Sequence, residues 1–179
     1  MEGCECCTII GGKGSGFRAK NYIVELEGGW VLNHCGGGNT YLGYLILQTK
    51  CHRVDFSDLS AKEATSLGMN IQRINWSLRQ YWSAIYGNDS IERVYVAYLN
   101  ETPFIKRLSG QKLLEASHVH MHLLTRTKRV GEALNYDGQE FAWHLVENIG
   151  KLPRDYINVS DNDIRVINLM NYLKESLSN

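Results

Sequence analysis

Apolar residues recur along this chain in two rhythms, and each rhythm marks a kind of element. Ala64, Leu67, Ile71, Ile74, Leu78, Tyr81 and Ile85 follow one another at alternating steps of three and four. That spacing lays them on one stripe of an α-helix. Ser60 followed by Glu63 has the form of a capping box, and Gly87-Asn88-Asp89 supplies a stop, so one long helix is predicted between them. Shorter apolar runs read as strands: Asn21 to Leu26, Trp30 to His34, Tyr41 to Thr49, Arg93 to Leu99 and Ser117 to Leu124. Gly28-Gly29 suits a hairpin turn between the first two, and Cys35 to Asn39 a glycine-rich loop before the third. A long polar loop runs from Asn100 to about Ala116. Residues 130–158 carry a weaker pattern that mixes short strands and helix. Ser160 with Asp163 resembles a cap for a last helix, with Val166, Met170, Leu173 and Leu177 on one face. With no internal repeat and no linker, residues 1–179 read as a single α+β domain.

Composition narrows the setting. The chain has 179 residues, with 19 basic and 19 acidic side chains, so no global field recruits a polynucleotide or an anionic membrane. Hydrophobic residues make up 44% and prolines number 2, which argues against disorder. The opening MEGCECCTII lacks a basic region followed by an apolar stretch, and no apolar run approaches the roughly 20 residues of a membrane span. A cytoplasmic protein is expected. Gly11 to Gly16 (GGKGSG) has neither the Walker spacing nor a following helix pattern, so it reads as a flexible connector rather than a phosphate loop.

Cys4, Cys6 and Cys7 crowd the N-terminus, with Cys35 and Cys51 further on, making 5 cysteines. An odd number packed this way is a poor disulfide framework and suits a reducing compartment. Cys4-x-x-Cys7 can aim two thiolates at one zinc ion; the plainer readings are a small buried residue or a dispensable tail.

The most informative segment is SHVHMHLLTR, residues 117–126. His118, His120 and His122 alternate with Val119, Met121 and Leu123, so on a strand the imidazoles share one face and the apolar residues the other. Same-face neighbours are about 6.6 Å apart, and the outer pair about 13 Å. Two neighbouring histidines can share a metal, but three on a straight strand strain to do so. At least one of them is free for another task. A merely solvated polar face explains poorly why three of 6 histidines fall at alternate positions of an apolar strand.

His118-Val119-His120-Met121-His122-Leu123-Leu124 resembles the signature of the histidine-triad (HIT) superfamily. Further segments agree. Cys4-x-x-Cys7-x-Ile9 is similar to the N-terminal zinc segment of one branch, which includes diadenosine polyphosphate hydrolases. Gly43-Tyr44-Leu45-Ile46-Leu47 followed by Lys50-Cys51-His52 resembles the strand that ends in a basic residue and a histidine. Asp58-Leu59-Ser60 with Glu63 resembles the start of the family's long helix. The likeness spans roughly residues 4–126; residues 127–179 stand as a C-terminal extension.

The resemblance implies a mainly antiparallel sheet with the long helix on one face and a C-terminal helix. It implies a structural zinc held by Cys4, Cys7, His52 and His118, using an N-terminal segment of about residues 1–16 and a triad strand of about 117–124. Four protein ligands close such a site. It implies His120 as the nucleophile, with its other ring nitrogen donating to a backbone carbonyl, and His122 as the group that stabilises charge on phosphoryl oxygens or the bridging atom. Asn33 and Asn100 resemble positions near the nucleotide, although a loop asparagine also serves simply as a turn residue. His34 and His144 have no place in the pattern and read as surface or partly buried residues.

Departures bear on the substrate. Leu114 stands where many relatives have a phosphate-binding glutamine, Glu115 beside it would repel phosphate, and Thr125 replaces a proline before the retained Arg126. The expected activity is hydrolysis of dinucleoside polyphosphates or nucleoside phosphoramidates at the α-phosphate, through a nucleotidyl-histidine. A nucleotidyltransferase using the same intermediate and a non-catalytic nucleotide-binding protein are the alternatives. The expected partner is a small nucleotide, with no polynucleotide and no membrane. The resemblance allows a homodimer with the long helix as the candidate contact surface, and no residue decides it.

Overall fold

The protein is described from a computed structural model, which describes residues 4–13, 22–36, 40–87, 89–98, 118–134 and 163–178. Five strands form one antiparallel sheet: β1 (Val24–Leu26), β2 (Trp30–His34), β3 (Tyr44–Thr49), β4 (Ile91–Ala97) and β5 (His120–Thr127). Their order is β1-β2-β3-β5-β4, so β5 fills the gap between β3 and β4 and puts the triad strand near the middle. Among the described residues four α-helices accompany the sheet: α1 (Glu5–Thr8), α2 (Ala61–Tyr86), α3 (Lys128–Leu134) and α4 (Ile164–Leu177). This is the α+β architecture expected, and β2 has the limits predicted for it.

The registers divide the sheet into two faces. Trp30, Leu32, Leu45, Leu47, Met121 and Leu123 share one face, buried together with Ile74, Leu78 and Trp82 of α2. Val31, Asn33, Ile46, Gln48, His120 and His122 share the opposite face. The alternation along β5 therefore sends Met121 and Leu123 toward α2, while His120 and His122 face away from it.

Helix α2 starts as predicted. The Ser60 hydroxyl accepts from Glu63 N at 3.2 Å, and the Glu63 carboxylate accepts from Ser60 N at 2.7 Å. Its buried stripe differs from the expectation in the N-terminal half. Ala64 and Ile85 are exposed and Leu67 and Ile71 only half-buried, whereas Glu63, Ser66 and Asn70 are buried beside Ile74, Ser77, Leu78, Tyr81 and Trp82. The cause is the partner surface. The first turns of α2 lie on the backbone of the β1–β2 turn, which offers polar groups rather than apolar side chains. Asn70 Nδ2 donates to the Glu27 carbonyl at 2.9 Å, and Trp30 Nε1 donates to the Glu63 carbonyl at 2.8 Å. Gly28, at φ 75°, makes this approach possible: a Cβ there would lie 1.8 Å from Ser66 Oγ.

The limits of the other four strands shift; β4 spans Ile91–Ala97 rather than Arg93 to Leu99, and Leu99 lies outside the described residues. β3 begins at Tyr44 rather than Tyr41, and β1 spans only Val24–Leu26. The triad strand runs from His120 to Thr127, so His118 precedes it, and Ser117 lies outside the described residues. Helix α4 is capped by Asp163 itself, which accepts from Arg165 N at 2.9 Å. Val166, Met170, Leu173 and Leu177 are buried as predicted, and Leu169 joins them. They belong to the same apolar cluster as the sheet, so this part of the C-terminal extension completes the core. None of the described helices is long and apolar enough to cross a membrane.

Candidate active site and metal centre

The N-terminal segment folds over the strap that joins β3 to the start of α2, and there the cysteines meet two histidines. The ligand atoms of Cys4, Cys7, His52 and His118 all lie within 4.8 Å of one another. Cys4 Sγ and Cys7 Sγ stand 3.4 and 3.5 Å from His118 Nδ1, and Cys7 Sγ stands 3.3 Å from His52 Nδ1. Zinc–sulfur and zinc–nitrogen bonds of about 2.3 and 2.0 Å at tetrahedral angles require S···N edges of about 3.5 Å. The cluster therefore fits a tetrahedral ion, and the soft-plus-imidazole donor set is one that zinc takes.

The surroundings fit as well. His118 Nε2 points away from the thiols, 2.8 Å from the Thr49 carbonyl, which fixes the proton on Nε2 and the lone pair on Nδ1. Val119 N donates to the Arg53 carbonyl at 2.7 Å, and Arg53 Nε pairs with the Glu63 carboxylate at 3.1 Å. The loop bearing His52 is thus tied both to the triad segment and to the cap of α2. The two thiols differ. Hydrogen bonding from the Cys6 side chain, helped by the Cys7 amide, draws Cys4 down to about 3 against its desolvation. Burial, then the neighbouring Cys4 thiolate, pushes Cys7 up to about 11. Cys6 is thus a partner of Cys4 inside this cluster, while Cys51 is exposed.

Beyond His118 the strand presents its next two imidazoles, His120 and His122, on one face of the sheet. His120 is half-buried, and its Nδ1 donates to the His118 carbonyl at 2.7 Å, leaving the Nε2 lone pair to act. That carbonyl belongs to the residue whose side chain joins the cysteine–histidine cluster. His122 is buried, its ring 4.9 Å from that of His120. Its Nδ1 lies 2.7 Å from the Tyr44 hydroxyl, and its Nε2 is buried with no hydrogen-bond partner among the described residues. Burial first, then the adjacent His120, lowers its pKa to about 4, so His122 is neutral at neutral pH.

Asn33 also reaches this face. It is buried, donates from Nδ2 to the His34 carbonyl at 3.0 Å, and accepts from Gln48 Nε2 at 3.0 Å. Gln48 sits directly across from His120 in the register. Neither Gln48 nor Tyr44 stood out in the sequence. Both lie in an apolar run, and only the pairing of β3 with β5 brings them beside the triad. His34, expected at or near the surface, is fully buried on the opposite face. Its Nδ1 donates to the Cys35 carbonyl at 2.7 Å and its Nε2 accepts from Gly43 N, while burial lowers its pKa to about 4.

Thr125, in place of a proline, donates to the Gly43 carbonyl at 2.8 Å, and Arg126 pairs with Glu92 at 3.1 Å. Asn100, Leu114, Glu115 and His144 lie outside the described residues.

No protein-family model and no curated protein matches this sequence. Solved structures do resemble the chain. A hypothetical histidine triad nucleotide-binding protein from Sulfolobus tokodaii aligns with a TM-score of 0.54 at 13% identity, covering 98% of this chain and 93% of its own. A zinc-bound histidine triad family protein from Mycobacterium smegmatis gives 0.50 at 14% identity over the same 98% and 93%. A HIT-like protein involved in cell-cycle regulation from Bartonella henselae, solved with an unknown ligand, gives 0.54 at 10% identity over 95% and 93%. At such identities the likeness is one of fold, and the fold is that of the histidine-triad proteins.

Proposed function

We propose that this chain, folded as a histidine-triad protein, is a nucleotide hydrolase that works through a nucleotidyl-histidine at His120. One observation carries the reading: His120 Nδ1 is held on the His118 carbonyl at 2.7 Å, which commits its Nε2 lone pair to attack. In the proposed first step Nε2 attacks the α-phosphorus of a nucleotide. The bond from phosphorus to the leaving oxygen or nitrogen breaks, and the leaving group departs with its electron pair. The new imidazolium keeps its Nδ1–H on the carbonyl, which stabilises its charge. Water then attacks the same phosphorus, the P–N bond breaks, and His120 returns neutral with a nucleoside monophosphate released.

His122 complements this chemistry as a neutral donor. In this reading the Tyr44 hydroxyl donates to Nδ1 and the proton of His122 sits on Nε2, which has no hydrogen-bond partner among the described residues. A buried N–H with no acceptor is suited to charge that appears only during reaction, on a phosphoryl oxygen or the leaving atom. Zinc, in this reading, is structural. Cys4, Cys7, His52 and His118 would hold it, it would stiffen the lead-in to β5, and no step of the reaction passes through it. The expected substrates are dinucleoside polyphosphates or nucleoside phosphoramidates; a nucleotidyltransferase sharing the intermediate differs only in the second acceptor.

Acid quenching is unsuitable for a P–N bond, so the test is an alkaline quench of the protein mixed with an α-labelled dinucleoside polyphosphate. Label recovered on the peptide containing His120 is the expected result. Turnover with no trapped label, or label arising only from a γ-labelled nucleotide, would overturn the reading.

A further inference from the structure

The peptide unit that joins His118 to Val119 is held at both ends. Its carbonyl lies 2.7 Å from His120 Nδ1, and a carbonyl can only accept, so the ring proton lies on Nδ1. Its N–H donates to the Arg53 carbonyl, also at 2.7 Å. The peptide is trans, so the two bonds leave it in opposite directions. The Arg53 carbonyl, the peptide and the His120 ring thus form one chain of hydrogen bonds. Bonds linked in this way polarise one another, each strengthening the next. The contact with Arg53 therefore fixes the plane of the His118 carbonyl and makes it a stronger acceptor for His120.

Arg53 belongs to neither a helix nor a strand, so no ladder of backbone bonds fixes where its carbonyl stands. Its side chain supplies an anchor instead. Arg53 Nε donates to the two oxygens of Glu63 at 3.3 and 3.1 Å. Glu63 is buried in the first turn of α2, where the helix N-terminus favours a negative charge. Its carboxylate also accepts from Ser60 N at 2.7 Å, closing the cap. A glutamine would close a capping box as well, so the cap alone does not call for a charge. The guanidinium does. We infer that Arg53 and Glu63 are positioning residues for His120: their ion pair pins the Arg53 carbonyl, which orients the His118–Val119 peptide and, through it, the imidazole. Neither side chain touches substrate. The effect on rate rests on the reading of His120 as nucleophile, whereas the effect on its ring does not depend on any activity.

Two variants of the full chain test this. Glu63→Gln keeps an acceptor for the cap and removes the charge that holds Arg53. Arg53→Met combined with Glu63→Gln removes both charges, so that neither is left buried without its partner. The first readout is the tautomer of His120, followed by heteronuclear NMR at a pH where the ring is neutral and assigned by its loss in His120→Ala. The parent should show Nδ1–H alone, and both variants a mixture with Nε2–H, because the bond made by one ring nitrogen decides where the proton sits. The second is steady-state kinetics with diadenosine tetraphosphate as the probe. In both variants kcat should fall roughly tenfold with KM unchanged, since orientation of the nucleophile is lost and binding is not. Melting temperature and zinc content are measured on the same samples. The parent tautomer retained in both variants overturns the inference, and so do changes that only follow lost fold or lost zinc. If the parent turns over no nucleotide, the hydrolase reading fails, while the tautomer still decides the role of Arg53 and Glu63.

Discussion

The cysteine–histidine cluster and the His120–His122 pair meet at the triad segment, yet they are finished to different degrees. Around Cys4, Cys7, His52 and His118 the ligand atoms converge on one another, and His118 Nε2, which faces away, is tied to Thr49. On the sheet face beyond, His122 Nε2 and Gln48 Oε1 are buried without hydrogen-bond partners among the described residues. A set of atoms that needs only an ion describes a structural element. A set that leaves buried polar atoms unsatisfied calls for another explanation, and on the proposed reading it is charge that appears during reaction. His118 joins the two, giving its side chain to the first and its carbonyl to the second.

The comparison breaks most sharply at His120. His120→Ala should lower turnover by roughly a thousandfold or more while nucleotide affinity and melting temperature stay near those of the parent. Steady-state kinetics beside calorimetry would check it, and an active His120→Ala protein would dissolve the distinction between the sites. Replacing Cys4 and Cys7 together with serine should do the reverse. We expect about one zinc per chain in metal-loaded protein and none in the variant, with Tm lowered by more than about 5 °C. Elemental analysis and thermal melts decide this. Chelated protein that melts unchanged would argue against a structural ion.

A finer cut comes from Tyr44→Phe, which removes the hydroxyl 2.7 Å from His122 Nδ1. If the phenol sets the tautomer of His122, kcat should fall about tenfold with little change in KM, as for one hydrogen bond made stronger during reaction. A change in KM alone would assign Tyr44 to substrate binding instead.

The smallest effect concerns His34, on the opposite face. Its folded pKa is lowered to about 4, below the usual value near 6.5, so the unfolded chain binds the extra proton first. The stability it confers is complete above about pH 6.5 and is lost as pH falls toward 4. A second N–H on His34 would also confront the Gly43 amide that now donates to it. His34→Asn should therefore lower Tm at pH 7.5 but flatten its decline between pH 6.5 and 4.5, relative to the parent.

How much of this was legible in the sequence depends on whether the signal was local. The Ser60–Glu63 cap, the limits of β2 and the alternation of His118, His120 and His122 depend on neighbours within a few residues, and the structure matches them. The apolar stripe proposed for α2 was half right. Its C-terminal half packs on side chains, but its N-terminal half packs on the backbone at Glu27–Gly29, where Ser66 and Asn70 serve better than leucine. Tyr44 and Gln48 were missed for a different reason. A glutamine inside an apolar run is a visible irregularity, but its nearness to His120 arises from pairing with a strand more than seventy positions away. The metal ligands came from family likeness, and atom positions now bring those four together; Asn100 lies outside the described residues.

The separation between Cys4 and His118 also has a consequence in time. They meet across 114 positions of sequence. A ribosome adding about 5–20 residues per second emits the two cysteines on the order of ten seconds before His118 exists to join them. During that interval Cys4 and Cys7 are a bare thiol pair, open to oxidants or to ions that prefer sulfur. His52 arrives first and offers a provisional third ligand, so a partly assembled centre can guard the thiols while the rest of the sheet is made. On the structural-zinc reading, cells short of zinc should then accumulate newly made chains in which these cysteines are oxidised, while chains completed earlier stay intact.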